Sequence, residues 1–213
     1  MKTIVFDMDG VIFDTENCYM ICWKEVARKH QLKDIETVVR ACMGTNIEKT
    51  RQIVEQYLGK DIDAEEFLNE TFILFNEKYG ENIPIKEGVF ELLSYLKENN
   101  YKIGLASSTN RKVVVRELTN AHLISYFDVI VGGDMVQASK PEPDIYLKAC
   151  QQLNEKPENC YAIEDSYNGI RSAYNGHLHA IMVPDLVEPN EEMKEKAEYI
   201  CPNLLSVIDI LKG

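Results

Sequence analysis

The sequence predicts an α/β protein built on a parallel sheet, with a bundle of helices inserted after the first strand. Two patterns carry that expectation. From about residue 87 onward, short and nearly all-apolar runs alternate with amphipathic helical runs, as in a sheet covered by helices on both faces. Between Thr15 and about Tyr79 the alternation stops and only helical periodicity remains.

In chain order, TIVFD (3–7) reads as the first strand. Helical periods then run over 16–30, 34–42, 46–58 and 63–79, broken at Leu32-Lys33-Asp34, Met43-Gly44-Thr45 and Gly59-Lys60-Asp61. That is the size of a small helical bundle, expected as a lobe joined to the rest near Asp14 and near Asn82 to Pro84. A helix over 87–98 follows from Val89, Leu92, Leu93 and Leu96 on one face. The remaining strands are KIGLAS (102–107), DVIVGG (128–133), CYAIED (160–165) and HAIMVP (179–184). Helices over 111–119, 143–153, 168–175, 190–197 and 204–211 lie between and after them. There is no internal repeat and no low-complexity segment.

Composition limits the function classes. A chain of 213 residues, 45% hydrophobic and 27% charged, can bury one large core, or a core and a smaller one. No run approaches the roughly 20 apolar residues of a membrane span, and MKTIVFD runs into acidic residues where a signal peptide would be apolar. A cytoplasmic location is expected. The net charge of −12 disfavours nucleic-acid phosphates and anionic lipid, so neither is expected as a partner. The six cysteines form no CxxC pair and no zinc-type cluster, and most of them read as buried, reduced thiols. His30, His122, His177 and His179 show no ligand spacing except the His177-Leu178-His179 alternation leading into a strand, which reads as turn residues rather than a metal site.

Polar residues follow four strand ends. Asp7 and Asp9 follow the first, Ser107, Ser108 and Thr109 the second, Lys140 lies beyond the third, and Glu164 and Asp165 end the fourth. In an open parallel sheet these ends share the edge where ligands bind. Asp7-Met8-Asp9-Gly10 alone fits a solvated turn as well as a cation site, and it is no EF-hand loop because Val11 and Phe13 follow. Ser107 to Asn110 precede RKVVVREL, so they suit either helix capping or a phosphate at a helix N-terminus. Lys140 stands before a proline on a stiffened loop. Four carboxylates on one edge repel unless a hard divalent cation joins them, and oxygen-only ligands fit magnesium. Asp7 would then serve as a nucleophile toward phosphorus and Asp9 as the acid and base beside it.

FDMDGVIFDTE, GLASSTNR, SKPEPDIYL and IEDSYNGI together resemble the haloacid dehalogenase superfamily of aspartyl phosphotransferases, in the branch of β-phosphoglucomutase-like phosphatases with an α-helical cap. The resemblance implies a Rossmann-like core, sheet order 5-4-1-2-3, over residues 1–14 and 82–213, with a cap over 15–81. It implies Asp7 as nucleophile, Asp9 as general acid and base whose backbone carbonyl reaches magnesium, Ser107 as phosphoryl binder and Lys140 as the lysine steadying both. Asp165 matches the family's metal ligand, and Glu164 a direct or water-mediated one. Thr15, Glu16, Tyr19, Asn46, Ser108, Asn110 and Asn168 are the candidate substrate contacts.

The implied activity is magnesium-dependent hydrolysis of a small phosphorylated metabolite by a monomer. Asp9 argues against the dehalogenases, which lack that acid, and the cap lysine of the phosphonate-cleaving members is not found. A sugar phosphomutase is the alternative. The mutases carry a histidine where this chain has Tyr19 and an arginine where Ile47 follows Gly44, which favours hydrolysis. A phospho-receiver domain would place its aspartate after the third strand and carry no inserted lobe.

Overall fold

The structure is a computed structural model describing residues 2–42, 47–58 and 63–212. Strands β1 (Thr3–Phe6), β2 (Lys102–Ser107), β3 (Val129–Gly132), β4 (Cys160–Glu164), β5 (His179–Met182) and β6 (Tyr199–Ile200) pair in parallel, in the order β3-β2-β1-β4-β5-β6. Read from the other edge, the first five strands have the expected order. The sixth is an addition, since two residues are too few for any alternation to show in the sequence.

The inserted helices are α1 (Thr15–Lys29), α2 (Ile35–Cys42), α3 (Ile47–Leu58) and α4 (Ala64–Tyr79). The crossover and terminal helices are α5 (Val89–Glu98), α6 (Arg111–Asn120), α7 (Asp144–Gln152), α8 (Tyr167–Asn175), α9 (Glu191–Lys196) and α10 (Leu204–Lys212). Short 3-10 turns at Ile124–Tyr126, Gly133–Met135 and Pro157–Asn159 lie outside the expected set. Gly44 and Asn46 fall outside the described residues.

Strand alternation sorts the core into two layers. Ile4 and Phe6 of β1, Ile103 and Leu105 of β2, Ile163 of β4 and Ile181 of β5 pack with α5, α6 and α10 through Leu92, Leu96, Val114, Leu118 and Val207. Val5, Ala106, Ala162, Ala180 and Met182 face the opposite way, against α7, α8 and α9 through Ile145, Ala149, Ile170, Ala173 and Met193. Both faces being covered explains why these strands read as continuous apolar runs. Cys18, Cys22, Cys150, Cys160 and Cys201 are buried thiols within this packing.

The inserted helices enclose a third cluster, with Trp23, Val26, Val38, Val39, Val54 and Phe67 at its centre. Two connections to it run side by side. Phe13 bridges antiparallel to Ile85, the Asp14 N–H donates to the Pro84 carbonyl at 2.8 Å, and the Lys86 N–H donates to the Ile12 carbonyl at 2.9 Å. No helix among the described residues is long and apolar enough to cross a membrane.

Leu105 is fully buried in the layer that supports the β2 end of the site. Leu105→Ala is expected to cost about 2–5 kcal/mol of unfolding free energy. Urea denaturation measures this, and a loss below about 1 kcal/mol would show that the layer collapses around the gap.

Candidate active site

The sheet brings its polar strand ends to one edge, as the sequence anticipates. The β1 ladder stops at Phe6, but the Asp7 N–H still donates to the Ile163 carbonyl of β4 at 2.9 Å, so the Asp7 backbone is pinned in the sheet. Gly10 then turns the chain at φ +77°, where a side chain is strained. A Cβ there would lie 2.3 Å from Asp165 Oδ2, so the glycine also makes room for the second acid.

Lys140 Nζ is the central cation. It donates to Asp7 Oδ1 at 2.7 Å, to Glu164 Oε1 at 2.5 Å and to the Ala106 carbonyl at 3.3 Å. Its side chain is only 8% exposed. The carboxylates around the lysine hold its pKa above the ordinary value against the opposing effect of burial.

Glu164 is fully engaged by the protein. Its Oε1 also accepts from the Tyr146 hydroxyl at 2.7 Å, and its Oε2 accepts from the N–H groups of Asp165 and Ser166 and from the Ser166 hydroxyl at 3.2–3.3 Å. Gly169 permits this placement, because a Cβ on it would fall 1.8 Å from Glu164 Cδ.

Three carboxylates, Asp7, Glu164 and Asp165, bring oxygens within 4.8 Å of one another. Lys140 is the cation that bonds to this group. Burial first, and then Glu164, push the Asp7 carboxyl up to about 8 despite the lysine. Burial, Glu164 and Asp7 push Asp165 well upward as well. A buried set of hard oxygen donors with more negative charge than its lysine can offset matches what a divalent cation such as magnesium requires. The residues present therefore fit that ion.

Asp9 stands apart from the triad. Its Oδ2 accepts from the Thr109 hydroxyl at 3.1 Å and the Ser107 hydroxyl at 3.4 Å, and the Thr15 hydroxyl also supports its carboxylate. Burial raises its pKa, and these hydroxyls pull the other way. Neutral donors thus hold Asp9, while Asp7 lies among charges.

The remaining expected residues are placed as follows. Ser107 is fully buried, and its Oγ accepts from the Thr109 N–H at 3.0 Å. Ser108 and Asn110 are exposed, with Asn110 capping α6 by accepting from the Lys112 N–H. The Arg111 N–H donates to Asp134. The amides of Thr109, Arg111 and Lys112 therefore already have partners within the protein.

Thr15 is buried and its hydroxyl accepts from the Gly10 N–H at 3.2 Å, which makes it a support for the first loop. Tyr19 stacks on Phe75 with ring centroids 4.1 Å apart, and burial followed by Asp9 and Glu117 raises its phenol. Asn168 accepts from Arg171 Nη1 at 3.0 Å. Asn46 lies outside the described residues. Glu16 faces Asp9 and Asp185, and burial with those charges pushes it up to about 7.

Sequence reasoning passed over Tyr146, Glu117, Lys86 and Asp185 as site residues. Tyr146 reads in sequence as an ordinary apolar helix position, and Glu117 as helix surface. Thr109 was visible in the hydroxyl run after β2, but nothing there marks it as the donor to Asp9. An open depression of about 500 Å³ among Lys24, Arg28, Leu32 and Glu36 lies away from this cluster and holds none of its residues.

Known proteins match this chain over most of its length. A model of the haloacid dehalogenase-like hydrolases covers residues 4–183. A phosphorylated carbohydrates phosphatase of Thermotoga maritima is 32% identical over 85% of this chain and 84% of its own. The β-phosphoglucomutase of Bacillus subtilis is 29% identical over 86% of this chain and 83% of its own. The structure of an Entamoeba histolytica HAD hydrolase of family IA, variant 3, aligns over 100% of both chains with a TM-score of 0.78 at 25% identity.

Two outcomes test the electrostatics. Magnesium at about a hundred times its Kd should add about 2.7 kcal/mol to stability, a rise of about 5–10 °C in Tm over protein in chelator. Asp165→Asn should lose most of that rise, and an equal rise in both proteins would place the ion elsewhere. The second concerns Glu16, whose carboxyl is raised in the fold from 4.5 to about 7. A raised acid binds its proton more tightly folded than unfolded, so its contribution is favourable at low pH and is lost as pH climbs from about 4.5 through about 7. Glu16→Gln should therefore lose about 1–3 kcal/mol less than wild type between pH 5 and pH 8 in urea unfolding without metal. Identical slopes would contradict the burial argument.

Proposed function

The chain belongs to the haloacid dehalogenase-like hydrolases, and from that premise we propose that it is a magnesium-dependent phosphatase acting on a small sugar, polyol or nucleoside phosphate through an aspartyl-phosphate. The observation that carries this reading is the difference between two neighbouring acids. Asp7 is clamped by Lys140 beside two further carboxylates, and Asp9 is held by hydroxyls. Unlike environments divide the nucleophilic and acid–base roles between such a pair.

Asp7 and Asp165, with the Asp9 carbonyl, are the groups that would hold the ion directly, and Glu164, whose oxygens already accept from the protein, would act through a water. When bound, the ion supplies positive charge against the phosphoryl oxygens and draws the Asp7 carboxyl back to its ionised form. The Asp7 carboxylate attacks phosphorus, and the bond from phosphorus to the leaving oxygen breaks. Asp9, whose pKa burial raises, serves as the acid that gives a proton to that oxygen. The ionised Asp9 then takes a proton from water, whose oxygen attacks the phosphorus and releases inorganic phosphate from Asp7. Lys140 holds Asp7 in place by one oxygen and offsets the charge on the transferring group. The Ser107 hydroxyl supplies a neutral donor beside it.

The relatives support a phosphorylated carbohydrate as substrate, since one is a phosphorylated carbohydrates phosphatase. Another is a β-phosphoglucomutase, which keeps a phosphomutase as the second reading. Against it, the position where the mutases have a histidine holds Tyr19, whose ring is stacked on Phe75. We assign specificity to the cap over 15–81, whose closure would complete the site and shield the first phosphoryl transfer from bulk water.

Asp7→Asn should lower magnesium-dependent hydrolysis of p-nitrophenyl phosphate by about 10³-fold or more, with the thermal unfolding midpoint preserved. Retained activity would sink the nucleophile assignment. Incubated with glucose 1-phosphate, the wild type should release inorganic phosphate. Accumulation of glucose 6-phosphate without release would replace the phosphatase reading with the mutase.

A further inference from the structure

Five segments reach the catalytic edge, and the mechanism above uses four. The fifth follows β5 and contains Asp185 and Leu186. The Asp185 side chain is 8% exposed, and its Oδ1 accepts from Lys86 Nζ at 2.7 Å. Lys86 also reaches Asp14 Oδ1 at 3.5 Å, at the start of the cap. The lysine is thus committed to two carboxylates, and this small group keeps a net negative charge.

Asp185 Oδ2 is different. It is buried, and no donor among the described residues reaches it. A buried acceptor without a donor carries the full penalty of lost hydration. The segment leaves the sheet beside the site, since the Val183 N–H donates to the Glu164 carbonyl at 2.7 Å, and Lys86 ties Asp185 to Asp14 where the cap begins. The segment is firmly placed. Leu186 packs into the cap cluster, and its carbonyl accepts from Arg40 Nη1 at 2.9 Å.

We propose that Asp185, clamped by Lys86, is a specificity-determining residue that accepts a hydrogen bond from a hydroxyl of the leaving group and, with Glu16, rejects a leaving group bearing a second anionic charge. The inference rests on the phosphatase reading. A hydroxyl satisfies the lone oxygen, whereas a second phosphate or a carboxylate would meet the charge of Asp185 and Glu16 with no uncommitted cation described near it. The substrate class is then a sugar or polyol monophosphate whose body is uncharged, and bisphosphates and phosphorylated carboxylic acids are excluded.

Phosphate release from sorbitol 6-phosphate and from fructose 1,6-bisphosphate, measured as kcat and KM in saturating magnesium, tests this. The wild type should favour the monophosphate by more than about tenfold in kcat/KM. Asp185→Leu should raise KM for sorbitol 6-phosphate roughly tenfold with a smaller change in kcat. Asp185→Asn and Glu16→Gln, which remove charge at nearly constant shape, should each narrow the preference over the bisphosphate several-fold, so the test survives if one variant fails to fold. A preference unchanged within about twofold in the folded variants overturns the proposal. So does a changed magnesium requirement with an unchanged preference, which would assign Asp185 to the metal. Failure of the wild type to release phosphate from p-nitrophenyl phosphate or either sugar ester would overturn the phosphatase reading itself, and is distinguished by that first measurement.

Discussion

One lysine shared by two buried carboxylates governs this site. Lys140 cannot neutralise Asp7, Glu164 and Asp165 together. How the imbalance is divided follows from hydrogen bonding. Glu164 accepts from Lys140, Tyr146, Ser166 and two backbone amides, so its charge is well stabilised, and it acts as the anchor of the lysine. Among the described residues Asp7 gains only the lysine as a side-chain donor, while burial and Glu164 act against its ionised form, which explains why its pKa rises although it has an ion-pair partner. Desolvation outweighs the pair, as expected for buried carboxylates.

The sheet makes this concentration of charge sustainable. The two residue sets of each strand alternate between apolar layers, so the chain becomes polar only where the ladder ends. A register slip by one residue would turn the apolar set of β1 to the wrong layer and move Asp7 out of reach of Lys140. The same core packing that stabilises the fold therefore positions Asp7. Two glycines extend this control beyond the strands, Gly10 clearing space for Asp165 and Gly169 for Glu164.

The fold was legible because apolar periodicity and strand ends are local signals. The expected helices and the five longer strands stand where the runs of Val, Ile and Leu put them, and Lys140, Asp7 and Asp165 meet because parallel strands share an edge. Less visible were contacts made across the fold. Nothing in DIYLKAC says that Tyr146 turns its hydroxyl to Glu164, and nothing around Asp185 says that one oxygen is clamped and the other is not. The helix start after β2 shows the opposite limit. Its hydroxyls and amides look like a phosphate cradle in sequence, yet Asn110, Asp134 and Ser107 already satisfy three of the amides.

The charge of the whole chain adds a constraint on how an anionic ester is bound. At −12 the protein repels a phosphate at long range, but ions at physiological strength screen exposed charges beyond about 8 Å. Inside that distance the local groups decide, and Lys140 is the cation bonded to Asp7 and Glu164. Since that lysine is already engaged by two carboxylates, the chain by itself offers a phosphoryl group little net attraction. A divalent cation held by the acidic cluster would supply that attraction, and the same acidic surroundings would disfavour a second anion.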